Sequence, residues 1–397
     1  MMLNLRSSKT LFGLYARCVT ESDNQNKESL AAFTYSIFCI CASLTAVTMQ
    51  SIHSFCIRFA AGVAIFNNLL LIALILFKSH QKIGKYKYLM IYISVFELLY
   101  AVLDIIAVPG IYTQDSIFVI VVYANQVLAP SWAPFEKLFS LCFGISMAIF
   151  AVHFIYRYLI VSGHPIVKNY NGLVVLGLLI FPLLFGAFWY WDTVTCIPPF
   201  DEADAFLSEH LLLRISNQNN SDVSYVGPFF WPIGPDGHHH IYWKSCIGIL
   251  IMTVAIVVSF ALVLVFGYKC YRETREMIEK ATHSTSFHKL QSQLFYALVI
   301  QTVIPVVLMH IPASIGFTAA FFNSSFELLG AIPSVTICLY PTLDPLPNFF
   351  IIKDYRDAIL GMFYNEHFVV NFAVFAGFVR KVFRIKGATV TVHSAQI

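Results

Sequence analysis

The sequence predicts an all-α membrane protein in which seven transmembrane helices form one bundle. Three observations support this fold class. First, 58% of the 397 residues are hydrophobic and only 12% are charged, whereas a soluble chain is about 25% charged. Second, apolar windows long enough to cross a bilayer recur along the chain. Third, the positive charges concentrate in alternate connecting loops.

The apolar windows give the order of the predicted spans. A window of about 20 residues crosses a bilayer core about 30 Å thick. The seven windows are residues 55–77, 88–108, 138–161, 172–191, 245–268, 294–320 and 328–352. The fifth window contains no charged residue and continues as YKCYRETREMIEK, whose charges recur at helical spacing. We therefore expect a helix that continues past the membrane, either as a solvated end or as a partner contact.

The loop charges predict the orientation. The first, third and fifth loops and the C-terminal tail are rich in Lys and Arg, whereas the even-numbered loops are poor in them and mildly acidic. By the positive-inside rule, the N-terminus is outside and the C-terminus is cytoplasmic. Asn219 and Asn323 each begin an Asn-X-Ser sequon in an outer loop. Both are candidate glycosylation sites.

The predicted domain is residues 55–362, between an atypical N-terminal extension, 1–54, and a cytoplasmic tail, 363–397. The extension contains an apolar run, 30–49, that is long enough to span a membrane. Only residues 50–54 separate this run from the first window. Three interpretations stay open: an eighth span, a targeting segment, or sequence that is not part of the functional product.

A polar cluster is predicted at one depth of the bundle. Asn68 precedes Lys78 by ten residues, and Asp344 precedes Lys353 by nine. Glu97 follows the basic end of its own span by ten. These counts put all three side chains about 14–15 Å above the inner boundary. Ionisable groups inside a membrane usually face the bundle and mark a function, and Pro345 breaks the helix beside Asp344. The cluster is either structural glue or part of a switch.

The third window ends in a basic and aromatic segment, Tyr156-Arg157-Tyr158. A lone arginine near the inner face can extend to lipid phosphates. Alternatively, Arg157 can hold the inner ends of the helices together. The sequence leaves both interpretations open.

Candidates for a ligand pocket lie nearer the predicted outer face. They are Asp104, Trp189, Trp191, Tyr242, Trp243 and His310. Trp and Tyr also form membrane-interface belts regardless of function, so His310, which stands between two prolines of one span, is the most suggestive of them. His238-His239-His240 are consecutive and poorly placed for tetrahedral coordination. We expect no metal site and no cofactor.

Several of these segments together resemble the nematode serpentine receptor class r (Str) family. They are KIGKYKYLMIYISVFELLYAVLD, AIFAVHFIYRY, GHHHIYWKS, LQSQLFYALVIQTVIPVVLMHIP and YPTLDPLPNFFIIKDYR, and the resemblance covers about residues 55–362. It implies a GPCR-like bundle that acts as a chemosensory, odorant-type receptor in the plasma membrane, specifically the ciliary membrane of sensory neurons. The implied partners are a small odorant-like ligand, a heterotrimeric G protein and the lipid bilayer, with no nucleic acid.

The resemblance also implies residue roles. Tyr156, Arg157 and Tyr158 stand where rhodopsin-like receptors carry an acidic-Arg-aromatic triplet, and Arg272 and Arg356 join them on the G-protein side. Asp344-Pro345 stands for the Asn/Asp-Pro motif of the seventh helix. Two departures matter: Tyr156 is not acidic, so a local salt bridge is absent, and residues 1–50 are foreign to the family pattern. We expect no disulfide between Cys142 and Cys196.

The alternative class is a multi-pass transporter or a ligand-gated channel. Such a protein is expected to show internal repeats or broken helices in matching halves, and only the last two windows are clearly interrupted by proline. An enzyme is not expected, since the spans contain no HExxH, no paired His ligands and no serine nucleophile motif.

Overall fold

The protein is described from a computed structural model, which covers residues 28–79, 83–128, 134–210, 223–234, 237–279 and 286–362. The helices are α1 Glu28–Lys78, α2 Tyr86–Ala107, α3 Phe135–Val161, α4 Pro165–Cys196, α5 Asp201–His210, α6 Trp243–Glu279, α7 Ser286–Pro305, α8 Ile311–Phe321, α9 Leu328–Leu343, α10 Leu346–Ile351 and α11 Lys353–Met362. The strands are β1 Gly110–Gln114, β2 Ile117–Tyr123 and β3 Val223–Val226.

The helices long and apolar enough to cross a membrane make up the predicted seven spans. Six are Gln50–Lys78, Tyr86–Ala107, Phe135–Val161, Pro165–Cys196, Trp243–Met277 and Lys289–Phe321, and the bent pair Leu328–Ile351 with Lys353–Gly361 supplies the seventh. The seven-span helix bundle is therefore confirmed. We refer to these segments as spans 1 to 7.

Helix α1 runs without a break through residues 50–54. Within this helix, Gln50–Lys78 is long and apolar enough to cross a membrane. The rest of the N-terminal extension, residues 1–27, and the predicted tail, 363–397, lie outside the described residues.

Several helix ends follow from local sequence. Helix α4 begins earlier than predicted because His164 caps a short first segment, accepting a hydrogen bond from the Ile166 backbone N–H, with Pro165 in its first turn. A non-helical residue, Tyr170, then kinks the helix before its main part. The predicted continuation of span 5 is confirmed, since α6 extends to Glu279. Arg275 and Glu279 form an ion pair of 2.7 Å on this exposed end.

Spans 6 and 7 are both interrupted near prolines. In span 6, Pro305 ends α7, and a π turn, Val306–His310, precedes α8. Proline lacks an N–H and disrupts the regular ladder, which accounts for a π turn at this point. In span 7, Asp344 and Pro345 separate α9 from α10. The chain then bends by 95° between α10 and α11.

A three-stranded sheet in the order β1-β2-β3 covers one end of the bundle, and the all-α prediction missed it. Strands β1 and β2 form an antiparallel hairpin between spans 2 and 3, and β3 arrives from the loop between spans 4 and 5. We call this sheet the lid. We call its end of the bundle the outer end and the opposite end the inner end, following the charge-based orientation.

Candidate functional site

A cavity of about 660 Å³ lies under the lid, between spans 3, 4, 5, 6 and 7. Its wall is mainly apolar and aromatic. The lining includes Ile111, Phe118, Phe139, Phe143, Met147, Trp189, Val226, Phe230, Cys246, Leu250, Met252, Val257, His310, Ala313 and Phe317. Natural small-molecule sites are cavities of about 300–1,000 Å³ that are mostly apolar with a few polar groups. This cavity has those properties.

His310 is a polar residue of the cavity wall with a buried ring nitrogen free to accept or donate a hydrogen bond. Its Nδ1 is buried and has no hydrogen-bond partner among the described residues. The rings of Phe143 and Phe260 hold the imidazole edge-on, with centroids 5.6 Å and 5.4 Å away. By contrast, the hydroxyl of Ser140 is already paired with Thr193 at 2.8 Å. A buried polar atom without a partner costs free energy, so His310 is the natural anchor for a ligand.

The other pocket candidates divide into two groups. Trp189 lines the cavity, as His310 does, and its ring packs on Phe143 with centroids 5.8 Å apart. The expected pocket positions of Trp191, Tyr242, Trp243 and Asp104 are corrected, because none of them lines the cavity.

Each of those four side chains has another environment. Trp191 and Trp243 are 55% and 66% exposed on the outside of the bundle, as expected of interfacial tryptophans. Tyr242 stacks on Phe200 with centroids 4.1 Å apart. Asp104 is buried in span 2, and neither of its carboxylate oxygens has a partner among the described residues.

The lid also contributes to the cavity wall, which was not predicted from the sequence. Phe118 of β2 packs on Phe317 of α8 with ring centroids 4.1 Å apart. On the other edge of the lid, β1 lies close against span 7, because a Cβ on Gly330 would meet the Ile111 carbonyl oxygen at 2.6 Å. The Ile111 N–H donates to the Ser334 hydroxyl at 2.6 Å. The seven-residue apolar run of β2 was the available signal, too short for a span but suited to a strand.

The predicted polar cluster forms at the level of the break in span 7. The carboxyl of Glu97 is in polar contact with Asp344 and Asn68, and all three side chains are buried. Asn68 Nδ2 donates to the Pro341 carbonyl at 3.1 Å. Span 6 joins through Gln301, whose Nε2 donates to Asp344 Oδ2 at 2.7 Å.

The two carboxyls of this cluster are in contact and are not fully hydrogen-bonded within the described part of the chain. Oε1 of Glu97 and Oδ1 of Asp344 have no hydrogen-bond partner among the described residues. The cluster is thus incompletely satisfied, in agreement with an arrangement that can change.

Arg157 is buried rather than extended to lipid. Its side chain is 1% exposed. Nη1 donates to Gln291 Oε1 at 2.5 Å, and Nη2 donates to the Gln291 carbonyl oxygen at 2.7 Å. The guanidinium also lies over the Tyr86 ring, 5.2 Å from its centroid. Arg157 therefore joins the inner end of span 3 to span 6, and we call this pair the inner lock.

The remaining inner candidates surround the inner lock without joining it. Tyr156 donates its hydroxyl to Asn171 Oδ1 at 3.0 Å. Tyr158 receives the ammonium of Lys269 over its ring at 5.6 Å. Arg272 lies exposed on the end of α6. Arg356, a residue of α11, is buried, with Nε 3.5 Å from Asp357 Oδ1.

Comparison with known protein families identifies a match over most of the chain. The family described as serpentine type 7TM GPCR chemoreceptor Str matches residues 52–360. The chain belongs to this Str family.

Curated relatives agree with that assignment. The chain is similar to G-protein coupled receptor str-217 of Caenorhabditis elegans, with 32% identity covering 76% of this chain and 87% of the relative. It is also similar to serpentine receptor class r-10 of Caenorhabditis briggsae, with 27% identity covering 81% of this chain and 91% of the relative. This Str protein is a G-protein-coupled chemoreceptor and a multi-pass membrane protein.

A solved structure supports the fold alone. Squid rhodopsin superposes with a TM-score of 0.50 at 11% identity, over 78% of this chain and 84% of that chain. The Str receptor thus has a rhodopsin-type helix arrangement. In the described part of the Str receptor, Cys142 and Cys196 are both free thiols.

The structure describes one of the two predicted glycosylation sites. Asn323 lies in the turn after α8 with φ of 52°, and its sequon hydroxyl, Ser325, is buried against the lid, donating to the Asp115 carbonyl oxygen at 2.8 Å. Asn219 lies outside the described residues.

Proposed function

We propose that the receptor binds a small, mostly apolar, odorant-like molecule in the cavity under the lid, with one polar group of the ligand paired to His310. The observation that carries this proposal is the unpartnered imidazole nitrogen in a mainly apolar cavity wall. Apolar burial supplies affinity, and the single hydrogen bond supplies orientation. Ketones, alcohols, esters and small acids have this combination of chemistry.

Span 6 connects ligand binding to the inner face. Its outer part carries His310 in the π turn, its middle carries Gln301 against Asp344, and its inner end carries Gln291 on Arg157. A ligand that binds one packing of span 6 more tightly shifts the population toward it. Movement of this one helix therefore changes the cavity, the polar cluster and the inner lock together.

The inner lock is formed in the resting, inactive state of the receptor. With Arg157 held by span 6, the inner ends of spans 3 and 6 are joined. Their separation would expose Tyr156, Arg157 and Tyr158 to a G protein, flanked by Arg272 and Arg356. We place this signalling in the plasma membrane, in the cilia of chemosensory neurons.

The experiment measures G-protein activation in cells that express the receptor and are exposed to a panel of C4–C10 ketones, alcohols, esters and carboxylic acids. His310→Phe preserves an aromatic ring between Phe143 and Phe260 but removes the nitrogen. We expect the EC50 of any active compound to rise by at least tenfold, the effect of about 1.4 kcal/mol. Trp191→Phe, on the outer surface, is the matched control and should leave the EC50 unchanged.

Two results would contradict the proposal. An unchanged EC50 in His310→Phe at equal surface expression would show that the ligand does not pair with His310. Normal responses in both Arg157→Ala and Asp344→Ala would show that neither the inner lock nor the polar cluster takes part in switching.

A further inference from the structure

The lid closes the outer mouth of the cavity. Phe118, Val226 and Phe230 line the cavity from the lid side and are only 3%, 1% and 1% exposed. The chain at Gly227 has φ of 153°, and a Cβ there would clash with the Phe118 carbonyl oxygen. Backbone meets backbone at this point, so the lid fits the outer end of the bundle tightly.

The side wall formed by span 5 is different. Leu250 and Val257 line the cavity, yet 62% and 61% of their surfaces are exposed. Thr253, between them on the same face of α6, also lines the cavity and is exposed. Span 5 is apolar enough to cross a membrane and only 11% of its most apolar window is buried inside the protein, so its exposed surface is the one that lipid would cover. The same side chains therefore border both the cavity and the membrane.

Helix packing explains this gap. Span 5 packs along span 3 and against α7, the inner half of span 6. The outer half of span 6, α8, packs instead on α9 and the lid strands. Between α6 and α8 the described residues make no extensive contact. A cleft thus runs from the cavity to the lipid-facing surface, and its rim on span 6 includes Phe321, which lines the cavity and is 42% exposed.

We propose that ligands reach the cavity from within the bilayer, through a lateral portal between α6 and α8. This inference rests on the proposed function, because it gives the route to the same cavity. It narrows the ligand class to lipophilic molecules that dissolve in membranes. Each added CH₂ enriches such a molecule in lipid about fourfold over water, so the bilayer concentrates it beside the portal.

The test uses a thiol inside the cavity and needs no knowledge of the natural ligand. Ala313 lines the cavity and is 5% exposed. Because native Cys246 also lines it, Ala313→Cys is made together with Cys246→Ser, so that the new thiol is the one labelled there. The full receptor, reconstituted in phosphatidylcholine vesicles, is treated with N-dodecylmaleimide, which partitions into lipid, or with a sulfonated maleimide, which stays in water. Mass spectrometry of the peptide containing position 313 gives the labelling rate, and native Cys338, buried away from the cavity, is the internal reference.

Portal and control variants are then compared on the background of Ala313→Cys with Cys246→Ser. Leu250→Trp and Val257→Trp fill the gap and should slow labelling by N-dodecylmaleimide at least tenfold. Val258→Trp is the matched control, because Val258 is 54% exposed on the same helix without lining the cavity. It should leave the rate unchanged.

The outcomes separate the two routes. Faster labelling by N-dodecylmaleimide than by the sulfonated reagent, slowed only by the portal variants, supports the portal. Three results would overturn the portal. They are labelling by the sulfonated reagent as fast as by N-dodecylmaleimide, no labelling by N-dodecylmaleimide, and equal labelling rates in Leu250→Trp, Val257→Trp and Val258→Trp. None of these results bears on the His310→Phe response, so the portal can fail while the binding site stands.

Discussion

Removing the acceptor of the inner lock should activate the receptor without ligand. The perturbation is Gln291→Ala, which deletes Oε1 but leaves the backbone carbonyl that accepts the second bond from Arg157. A hydrogen bond to a charged group contributes about 1.5–3 kcal/mol, equivalent to about 10- to 100-fold in an equilibrium constant. If the open packing holds about 1% of the receptor at rest, it rises to about 10–50%.

The assay is ligand-free guanine-nucleotide exchange in membranes that contain the receptor and co-expressed G-protein heterotrimers. Basal exchange should increase in Gln291→Ala. In Gln291→Glu, it should fall below that of the original receptor, because a carboxylate strengthens the bond to Arg157. Ser292→Ala, one residue away, is the control for a general effect on α7. Equal basal exchange in all four proteins, at equal surface expression, would refute the inner lock.

The contact of the lid with span 7 and the polar cluster give two further predictions. Gly330→Ala places a Cβ 2.6 Å from a lid carbonyl, so thermal denaturation of the purified receptor should show that its free energy of unfolding falls by about 1–3 kcal/mol. Gly177→Ala is the control, because no atom lies within 4 Å of its Cβ, and it should be neutral or stabilising. Equal melting temperatures for the two variants would contradict the tight contact between the lid and span 7. Asp344→Ala leaves the Gln301 amide without its acceptor and should cost about 1–3 kcal/mol. Asp344→Asn keeps an oxygen acceptor and should melt higher than Asp344→Ala, and the reverse order would exclude the bond to Gln301.

The sequence predicted the bundle well because spans depend on local properties. Length and apolarity suffice to identify a membrane helix, and the windows differ from the observed spans mainly at their ends. The depth of Asn68, Glu97 and Asp344 could be counted along each helix for the same reason. The lid could not be anticipated in this way, since β2 pairs with β3 about a hundred residues along the chain and local patterns carry little information on such pairing.

The partner of Arg157 was unpredictable for a related reason. Gln291 is uncharged and lies 134 residues away, so neither charge pairing nor helical spacing singles it out. The side-chain directions of Trp191 and Trp243 also escaped prediction, because an aromatic residue near a membrane boundary fits a belt as well as a pocket. Only the helix packing decides which way such a side chain faces.

The π turn of span 6 has a consequence for how this helix should be mutated. A π turn accommodates one residue more than an α-turn, and one residue corresponds to about 100° of rotation. A single helical wheel drawn through Lys289–Phe321 therefore assigns wrong faces to one half of the span. Scanning substitutions are best assigned to two separate wheels, one ending at Pro305 and one beginning at Ile311. Deleting one residue within Val306–His310 would merge the two wheels, and the resulting shift of His310 would register as altered ligand preference.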